Sequence, residues 1–189
     1  MSGRRILIAD SGETSRKNIE RQLARMGHKT FSASDGSGAV RIARTIRPDL
    51  VLLDVDLWGQ NAYDVAGIIE NDSLSLVVFL CSRPTQAFFS RLRESRLRSY
   101  LPKPFTAEEL QRTVTASLQT GDLMREYQRR ISGLEREIEN RRILDKAKLS
   151  LMESEGLTEE EAYQKLRKKS MDLSLPIHEA AALILSEKS

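Results

Sequence analysis

The stretch ENRRILDKAKLSLMESEGLTEEEAYQKLRKK, residues 139–169, carries the clearest structural pattern in the chain. Apolar residues recur at helical spacing through its first half, and a turn at Glu155-Gly156-Leu157 then interrupts the pattern. Thr158, followed three residues later by Glu161, matches a capping box and predicts the start of a second helix. The second helix repeats the apolar spacing, so we expect one of its sides to face a core. The residues expected on that side are Ala162, Leu166 and Met171.

Both predicted helices also carry many lysine and arginine side chains. Cations near the end of a helix complement its dipole, and a solvated cationic surface is one interpretation of the pattern. The other interpretation is a surface that binds a polyanion such as nucleic acid. The candidate residues are Arg141, Arg142, Lys146, Lys148, Lys165, Arg167, Lys168 and Lys169.

The order and spacing of these motifs resemble the ANTAR domain, the RNA-binding module of transcription antitermination regulators. The resemblance is carried by Asn140–Ile143, Ala147-Lys148, Leu151-Met152, Gly156–Tyr163 and Leu166-Arg167, with a third short helix over 176–186. It implies a small three-helix domain over residues 128–189 that binds hairpin RNA. The cations named above are the RNA contacts that the resemblance implies.

Residues 4–119 alternate short apolar runs with amphipathic segments. Continuous apolar strands between amphipathic helices predict a doubly wound α/β domain, in which helices cover both faces of a parallel sheet. Polar residues at the carboxyl ends of such strands share the edge where ligands bind. The sequence predicts five strands, at 6–9, 29–33, 50–53, 76–80 and 99–101, and helices at 14–26, 39–46 and 108–118.

This region, assigned as residues 1–120, resembles the CheY-like receiver domain of bacterial response regulators. The matching segments are Ile6–Asp10, Pro48–Asp54 and Tyr100–Phe105. The resemblance makes Asp54 the residue that accepts a phosphoryl group and Lys103 the residue that holds a phosphate oxygen. It also implies a Mg²⁺ site, and carboxylates are the ligands that this ion prefers. The implied metal ligands are Asp10, Asp54 and Asp56.

The chain departs from the receiver pattern at three positions. Ser11 replaces a second acidic metal ligand, Cys81 replaces the switch hydroxyl, and Trp58 replaces a proline after the acceptor. Tyr100 keeps the aromatic residue of the switch, which we expect to comprise Cys81, Tyr100 and Lys103. We therefore expect weak Mg²⁺ binding. Two alternatives remain for Asp54, a phosphorylated residue or a remnant of the fold.

Residues 121–140 follow a heptad pattern with spacings of three and four. Such a seam predicts a coiled coil, although packing within one chain would produce the same pattern. A short amphipathic helix is not stable alone, which favours a dimer of two copies. The predicted interface residues are Met124, Tyr127, Ile131, Leu134 and Ile138.

Charge and composition restrict the functions that fit. The 189 residues have a net charge of +3, but residues 121–189 hold 13 Lys and Arg against 14 Asp and Glu, which gives −1. An RNA surface must therefore arise from segregated cations and not from bulk charge. No run of 18 apolar residues and no signal-peptide pattern occurs, and the single cysteine cannot form an internal disulfide, so we expect a cytoplasmic protein.

The two resemblances together imply a response-regulator-type antiterminator that binds hairpins in nascent leader transcripts. It would not be an enzyme and would need no cofactor besides Mg²⁺. A sensor histidine kinase acting on Asp54, or a partner protein that sequesters the homodimer, would control it. Two other classes stay open: a DNA-binding response regulator, and a protein-interaction module regulated by a partner.

Overall fold

The computed structural model describes residues 3–93 and 98–187. The chain divides into two compact units, residues 1–124 and 125–189. The outer limits predicted for the two domains, residues 1 and 189, lie outside the described residues. No helix in the described part of the chain is both long enough and apolar enough to span a membrane.

The first unit is built on the five-stranded parallel sheet that the sequence predicts. Its strand order is β2-β1-β3-β4-β5, and every pair of neighbouring strands is parallel. Successive strand residues point to opposite faces, and both faces are apolar: Leu7 and Val51 belong to one core, Ile6 and Leu52 to the other. The strands are β1 (Arg5–Ala9), β2 (Lys29–Ala33), β3 (Leu50–Asp54), β4 (Leu76–Cys81) and β5 (Arg98–Pro102).

Five helices follow the strands in alternation. Two of them, α3 and α4, lie in stretches for which the sequence analysis gave no element. Asn61 caps the first of these, because its side chain accepts a hydrogen bond from the Tyr63 amide. The helices are α1 (Glu13–Arg25), α2 (Gly36–Ile46), α3 (Ala62–Asn71), α4 (Gln86–Arg93) and α5 (Ala107–Glu155).

Helix α5 is 49 residues long and joins three stretches that the sequence predicts as helical: 108–118, the heptad segment 121–140 and the helix before the turn at Gly156. Gly121 does not end it, although glycine weakens a helix by up to about 1 kcal/mol relative to alanine. The helix is anchored in a core at each end, through Leu110 and Val114 in the first unit and Ala147 and Leu151 in the second. Anchored ends remove the cost of nucleation, so the exposed middle stays helical.

The second unit packs the end of α5 against α6 (Glu159–Leu173) and α7 (Ile177–Glu187). Thr158 and Glu161 form the predicted capping box at the start of α6. Ala162 and Leu166 are fully buried, as expected. The expectation for Met171 was wrong, since this side chain is 70% exposed. It lies on the outer side of α6, because five residues from Leu166 is a rotation of about 140°.

Candidate functional site

Three charged side chains meet at the carboxyl edge of the sheet, as the sequence predicts. Asp10 follows β1, Asp54 ends β3, and Lys103 follows β5. The Lys103 ammonium donates hydrogen bonds to Asp10 Oδ2 at 2.7 Å and to Asp54 Oδ2 at 2.6 Å. The backbone amide of Lys103 donates to the Cys81 carbonyl at 2.9 Å, which fixes the lysine beside β4. Both carboxylates are buried.

Both carboxylates of the pocket accept further hydrogen bonds from within the chain. Asp10 Oδ1 accepts from the Gly12 amide, and Asp10 Oδ2 accepts from the Ser15 hydroxyl, both at 2.7 Å. Asp54 Oδ1 accepts from the Asp56 amide at 3.1 Å. The sequence analysis did not single out Ser15. The sequence feature that could have identified Ser15 is its position in the first turn of α1, five residues after Asp10.

The two aspartates differ in their ionisation. Burial opposes ionisation of Asp10, but hydrogen bonds from Lys103, Ser15 and Gly12 outweigh it and hold its pKa below the ordinary value. At Asp54 burial dominates and raises the pKa, even though Lys103 and the Asp56 amide donate to it. Burial lowers the pKa of Lys103, yet hydrogen bonds to both aspartates raise it overall, so the ammonium stays charged.

Ser11 is part of a connection between loops. Its hydroxyl donates to the Ser34 carbonyl at 3.1 Å and accepts from the Trp58 amide at 2.8 Å. The Trp58 carbonyl in turn accepts from the Gly36 amide at 3.2 Å. The loop after β3 is therefore tied to the loop after β2, while the Trp58 side chain is 75% exposed.

A Mg²⁺ ion fits this arrangement poorly. The ion prefers oxygen ligands in near-octahedral geometry, but Lys103 already bridges Asp10 and Asp54 where it would bind. Ser11 offers a hydroxyl that is already hydrogen-bonded on both sides. Among the described residues, no group of three or more acidic, histidine or cysteine side chains is arranged to hold a metal. As long as Lys103 bridges Asp10 and Asp54, these two carboxylates are not free to bind the ion, which agrees with the expected weak binding; the ligand set Asp10, Asp54 and Asp56 stays a prediction.

Besides Lys103, the two other predicted switch residues, Cys81 and Tyr100, are held inside the first unit. Cys81 ends β4 opposite Pro102 and is buried, which raises the pKa of its thiol. Tyr100 packs edge-on against Phe88 and Phe89 of α4, with ring centroids 5.4 and 5.6 Å away. The switch aromatic is thus fixed in an aromatic cluster, and a thiol takes the place of the hydroxyl.

The predicted RNA-binding cations fall into two groups. In the first group the charge has a carboxylate partner. Lys148 bridges Asp145 at 3.0 Å and Glu159 at 2.8 Å, and its side chain is only 18% exposed. Lys165 pairs with Glu155, Arg142 lies 3.9 Å from Glu139, and Lys169 also has an interaction within the chain.

The second group is exposed and makes no ion pair among the described residues. Helix α6 also presents Tyr163 and Met171, which lie four residues on either side of Arg167 and therefore share one side of the helix. Tyr163 is 38% exposed, so the aromatic ring reaches solvent. The unpaired cations are Arg141, Lys146, Arg167 and Lys168.

Comparison with known proteins identifies both units. Residues 6–115 match the response regulator receiver domain, and residues 132–185 match the ANTAR domain. The first match covers more than half of the chain, so the protein belongs to the response regulator family of two-component signalling proteins. More particularly, it is a response regulator with a C-terminal ANTAR domain, a combination that regulates transcription.

Two relatives illustrate the extent of the similarity. The chain is 26% identical over 183 residues to the transcriptional regulatory protein PdtaR of Mycobacterium tuberculosis, covering 96% of this chain and 89% of that one. It is 34% identical over 118 residues to the DNA-binding response regulator MtrA of Mycobacterium leprae, covering 62% of this chain and 52% of MtrA. The match to MtrA is thus confined to part of each protein.

Solved structures support the receiver fold. The receiver domain of a modulated diguanylate cyclase from Desulfovibrio desulfuricans matches with a TM-score of 0.60 and 25% identity, covering 65% of this chain and 99% of that one. The chemotaxis protein CheY4 of Vibrio cholerae matches with a TM-score of 0.58 and 18% identity, covering 61% and 99%.

Proposed function

We propose that this response regulator is a transcription antiterminator that binds hairpin RNA in nascent leader transcripts through its ANTAR domain. A bound hairpin would prevent a competing terminator from forming, so that transcription continues. The chain makes and breaks no covalent bonds in this scheme. It would act in the cytoplasm, where nascent bacterial transcripts are found. The observation that carries the proposal is the exposed combination of Tyr163, Arg167 and Lys168 on α6 of the ANTAR match.

The chemistry of that helix suits a hairpin loop. Loop bases are unstacked, and proteins recognise them by stacking aromatic or guanidinium groups on their faces. Tyr163 and Arg167 supply one group of each kind on the same side of α6. A cation without a partner within the chain binds a phosphate without first breaking an ion pair, which favours Arg141, Lys146, Arg167 and Lys168 over the paired lysines. Lys148 and Lys165 then stabilise the ANTAR unit itself.

The proposal includes a receiver with reduced phosphorylation. Asp54 is the phosphoacceptor that the receiver match implies, yet Lys103 neutralises it and Ser11 provides no second acid. A sensor histidine kinase would therefore act on it poorly, and a partner protein that sequesters the regulator is the stronger form of control. The regulator would act as a homodimer through the exposed seam of α5.

Binding to DNA is the alternative that the name of MtrA suggests. The match to that protein spans 118 residues and covers only 52% of MtrA, so the name of that protein does not by itself assign a DNA-binding output to this chain. A purely protein-binding output is the other alternative.

The experiment is competition binding with the full-length protein. The labelled probe is the hairpin RNA encoded upstream of a candidate target gene, including the leader of its own gene. Competitors are the same hairpin with a scrambled loop and a duplex DNA of the same sequence. We expect the native hairpin to compete best and the duplex DNA worst. Stronger competition by the duplex would contradict the proposal, and the absence of binding to any hairpin would leave the protein-binding alternative.

A further inference from the structure

The amino edge of the receiver sheet, opposite the pocket, carries exposed cations. Arg5 begins β1, Lys29 begins β2, and Arg47 follows α2 shortly before β3. All three side chains are exposed, and none of them makes an ion pair in the part of the chain that the structure describes. These three residues are named the amino-edge patch below.

The register of the strands places the patch on one face of the sheet. Arg5 and Lys29 are direct partners in the pairing of β1 with β2, and neighbouring strands lie about 4.8 Å apart. Leu7 and Phe31, two residues further along each strand, pack with the core of that face. Since every second residue of a strand points to the same side, Arg5 and Lys29 lie at the open end of this face. Helix α2 covers the same core and ends at the same edge, where Arg47 follows it.

Two of these placements are unfavourable for stability. Like charges directly opposite each other on neighbouring strands repel, as Arg5 and Lys29 do. Arg47 has a φ of 44°, in the left-handed region, where glycine has no steric cost and arginine does. A lysine on an edge strand also discourages pairing with other chains, so Lys29 alone would indicate little. Local strain of this kind concentrates at functional sites, and here both instances concern cations.

The groups beside the patch do not neutralise it. Asp49, whose amide donates to the Arg5 carbonyl at 2.8 Å, is held by the Arg4 guanidinium at 3.3 Å and by the Arg5 amide at 2.9 Å. The Lys29 ammonium lies over the Phe31 ring, 5.4 Å from its centroid. That contact orients the ammonium but adds no negative charge. The patch therefore keeps its charge for a partner outside the chain.

The surplus positive charge of the chain also lies in this unit. Residues 1–120 hold 17 Lys and Arg against 13 Asp and Glu, which gives +4, whereas residues 121–189 have a net charge of −1. A positively charged surface attracts polyanions over a distance. Two of the three patch residues are arginines, whose guanidinium groups match the geometry of phosphate oxygens. The proposed function already gives the chain a phosphate polyanion as its partner.

We infer that Arg5, Lys29 and Arg47 form a second RNA-binding surface, on the receiver unit, which holds phosphate groups of the transcript without regard to sequence. The inference rests on the proposed function and adds to it a division of labour. Helix α6 recognises the loop, while the amino-edge patch contributes affinity through the RNA backbone, because phosphate contacts position a nucleic acid and carry no sequence information.

Polyuridylic acid tests the patch, because this RNA has phosphates but no hairpin. Full-length protein and the double variant Arg5→Gln with Lys29→Gln are titrated against labelled polyuridylic acid at several salt concentrations, with fluorescence anisotropy as the readout. Each lost contact to single-stranded RNA should flatten the slope of log affinity against log salt by about 0.7, so we expect about 1.4 for the double variant. An unchanged slope would overturn the inference.

The matched control is Arg44→Gln in the last turn of α2. Arg44 is an exposed cation of the same unit, but it already pairs with Asp72 at 2.9 Å. Its replacement should leave the slope unchanged. If Arg44→Gln flattens the slope as much per cation as the double variant does, the effect comes from the net charge of the unit and the patch has no special role.

Arg47→Gly separates binding from stability. The change removes a cation and a strained backbone conformation together, so the slope should flatten by about 0.7 while the thermal midpoint of unfolding stays unchanged or rises. A lower midpoint with an unchanged slope would show that Arg47 serves the fold and does not contact RNA.

An acidic protein is the competing occupant of the patch. Labelled polyglutamate carries carboxylates in place of phosphates and is titrated against the same variants. If the double variant loses affinity for polyglutamate but keeps its full affinity for polyuridylic acid, the patch binds acidic protein and the inference is wrong. The hairpin competition tests the proposed function separately, because the native and scrambled hairpins differ in the loop and have the same backbone charge.

Discussion

The receiver pocket and the surface of α6 both hold charged side chains, but they differ in where those charges find their partners. In the pocket, one ammonium neutralises two buried carboxylates at 2.6 and 2.7 Å. On α6, Arg167 and Lys168 are exposed and have no ion pair among the described residues. The comparison separates charges that the fold already neutralises from charges that stay available to a partner outside the chain.

The physical reason is the difference in burial. A buried charge is strongly unfavourable unless it is paired and hydrogen-bonded, so the pocket is stable because Lys103 occupies it. An exposed cation is stabilised by water and counterions, which it releases when it binds a phosphate. The receiver pocket is thus stable without an added ligand, whereas the α6 surface is able to gain free energy from one.

Removal of the bridging lysine should produce the largest effect. Lys103→Met leaves two buried carboxylates without a countercharge, and loss of one partner from a buried ion pair typically costs about 3–5 kcal/mol. Urea denaturation at pH 7 measures the free energy of unfolding. The loss should shrink as the pH is lowered, because the carboxylates then become neutral. The matched control is Lys17→Met, at an exposed position of α1, which should leave the midpoint of urea denaturation unchanged. If Lys103→Met also leaves it unchanged, the stability of the pocket does not depend on the charge of Lys103.

The two aspartates should respond in opposite directions to the same substitution. A lowered pKa means that ionised Asp10 stabilises the fold, so Asp10→Asn should cost about 1.5–3 kcal/mol, as expected for charged hydrogen bonds. A raised pKa means that ionised Asp54 opposes folding, so Asp54→Asn should increase the free energy of unfolding at pH 7.

The pH dependence of this pair follows from the same directions. The benefit of Asp54→Asn should begin to shrink as the pH falls through the raised pKa of Asp54 and vanish below the ordinary pKa, where the carboxyl is neutral in both the folded and the unfolded state. The contribution of Asp10 should persist to lower pH and be lost only below its ordinary pKa. Thermal unfolding between pH 3 and pH 8 measures both. Substitutions that change stability in the same direction would show that the two carboxylates are equivalent.

The smallest expected effect concerns metal binding. Ser11→Asp introduces a second carboxylate beside Asp10, and one more oxygen ligand should raise the affinity for Mg²⁺ on the order of tenfold, or about 1.4 kcal/mol. The Trp58 indole is the only tryptophan in the chain, and its fluorescence reports the titration. Ser11→Asn is the control without added charge. If the native protein binds Mg²⁺ as tightly as Ser11→Asp, the absence of a second carboxylate at position 11 does not weaken the site.

The sequence was sufficient to predict what depends on local pattern. Apolar runs ending at Asp10 and Asp54 gave the strands and their common edge, and Thr158 with Glu161 gave the start of α6. It was not sufficient to predict how side chains pair across elements. The partner of Lys148 is Glu159, eleven residues away on the next helix, and a count of cations does not reveal that pair. Met171 was misplaced because apolar character alone does not define the buried side of a helix near its end.

The central claim is that unpaired cations, and not paired ones, bind the hairpin, and the salt dependence of affinity tests it most directly. Two double variants are compared with the native protein: Arg167→Ala with Lys168→Ala, and Lys148→Ala with Lys165→Ala, each checked for folding by circular dichroism. Hairpin affinity is measured at several salt concentrations. Each lost phosphate contact should flatten the slope of log affinity against log salt by about 0.7–0.9. We predict a flatter slope and weaker binding when Arg167 and Lys168 are replaced, and an unchanged slope when Lys148 and Lys165 are replaced. The reverse result, with a flatter slope only after the loss of Lys148 and Lys165, would contradict the claim.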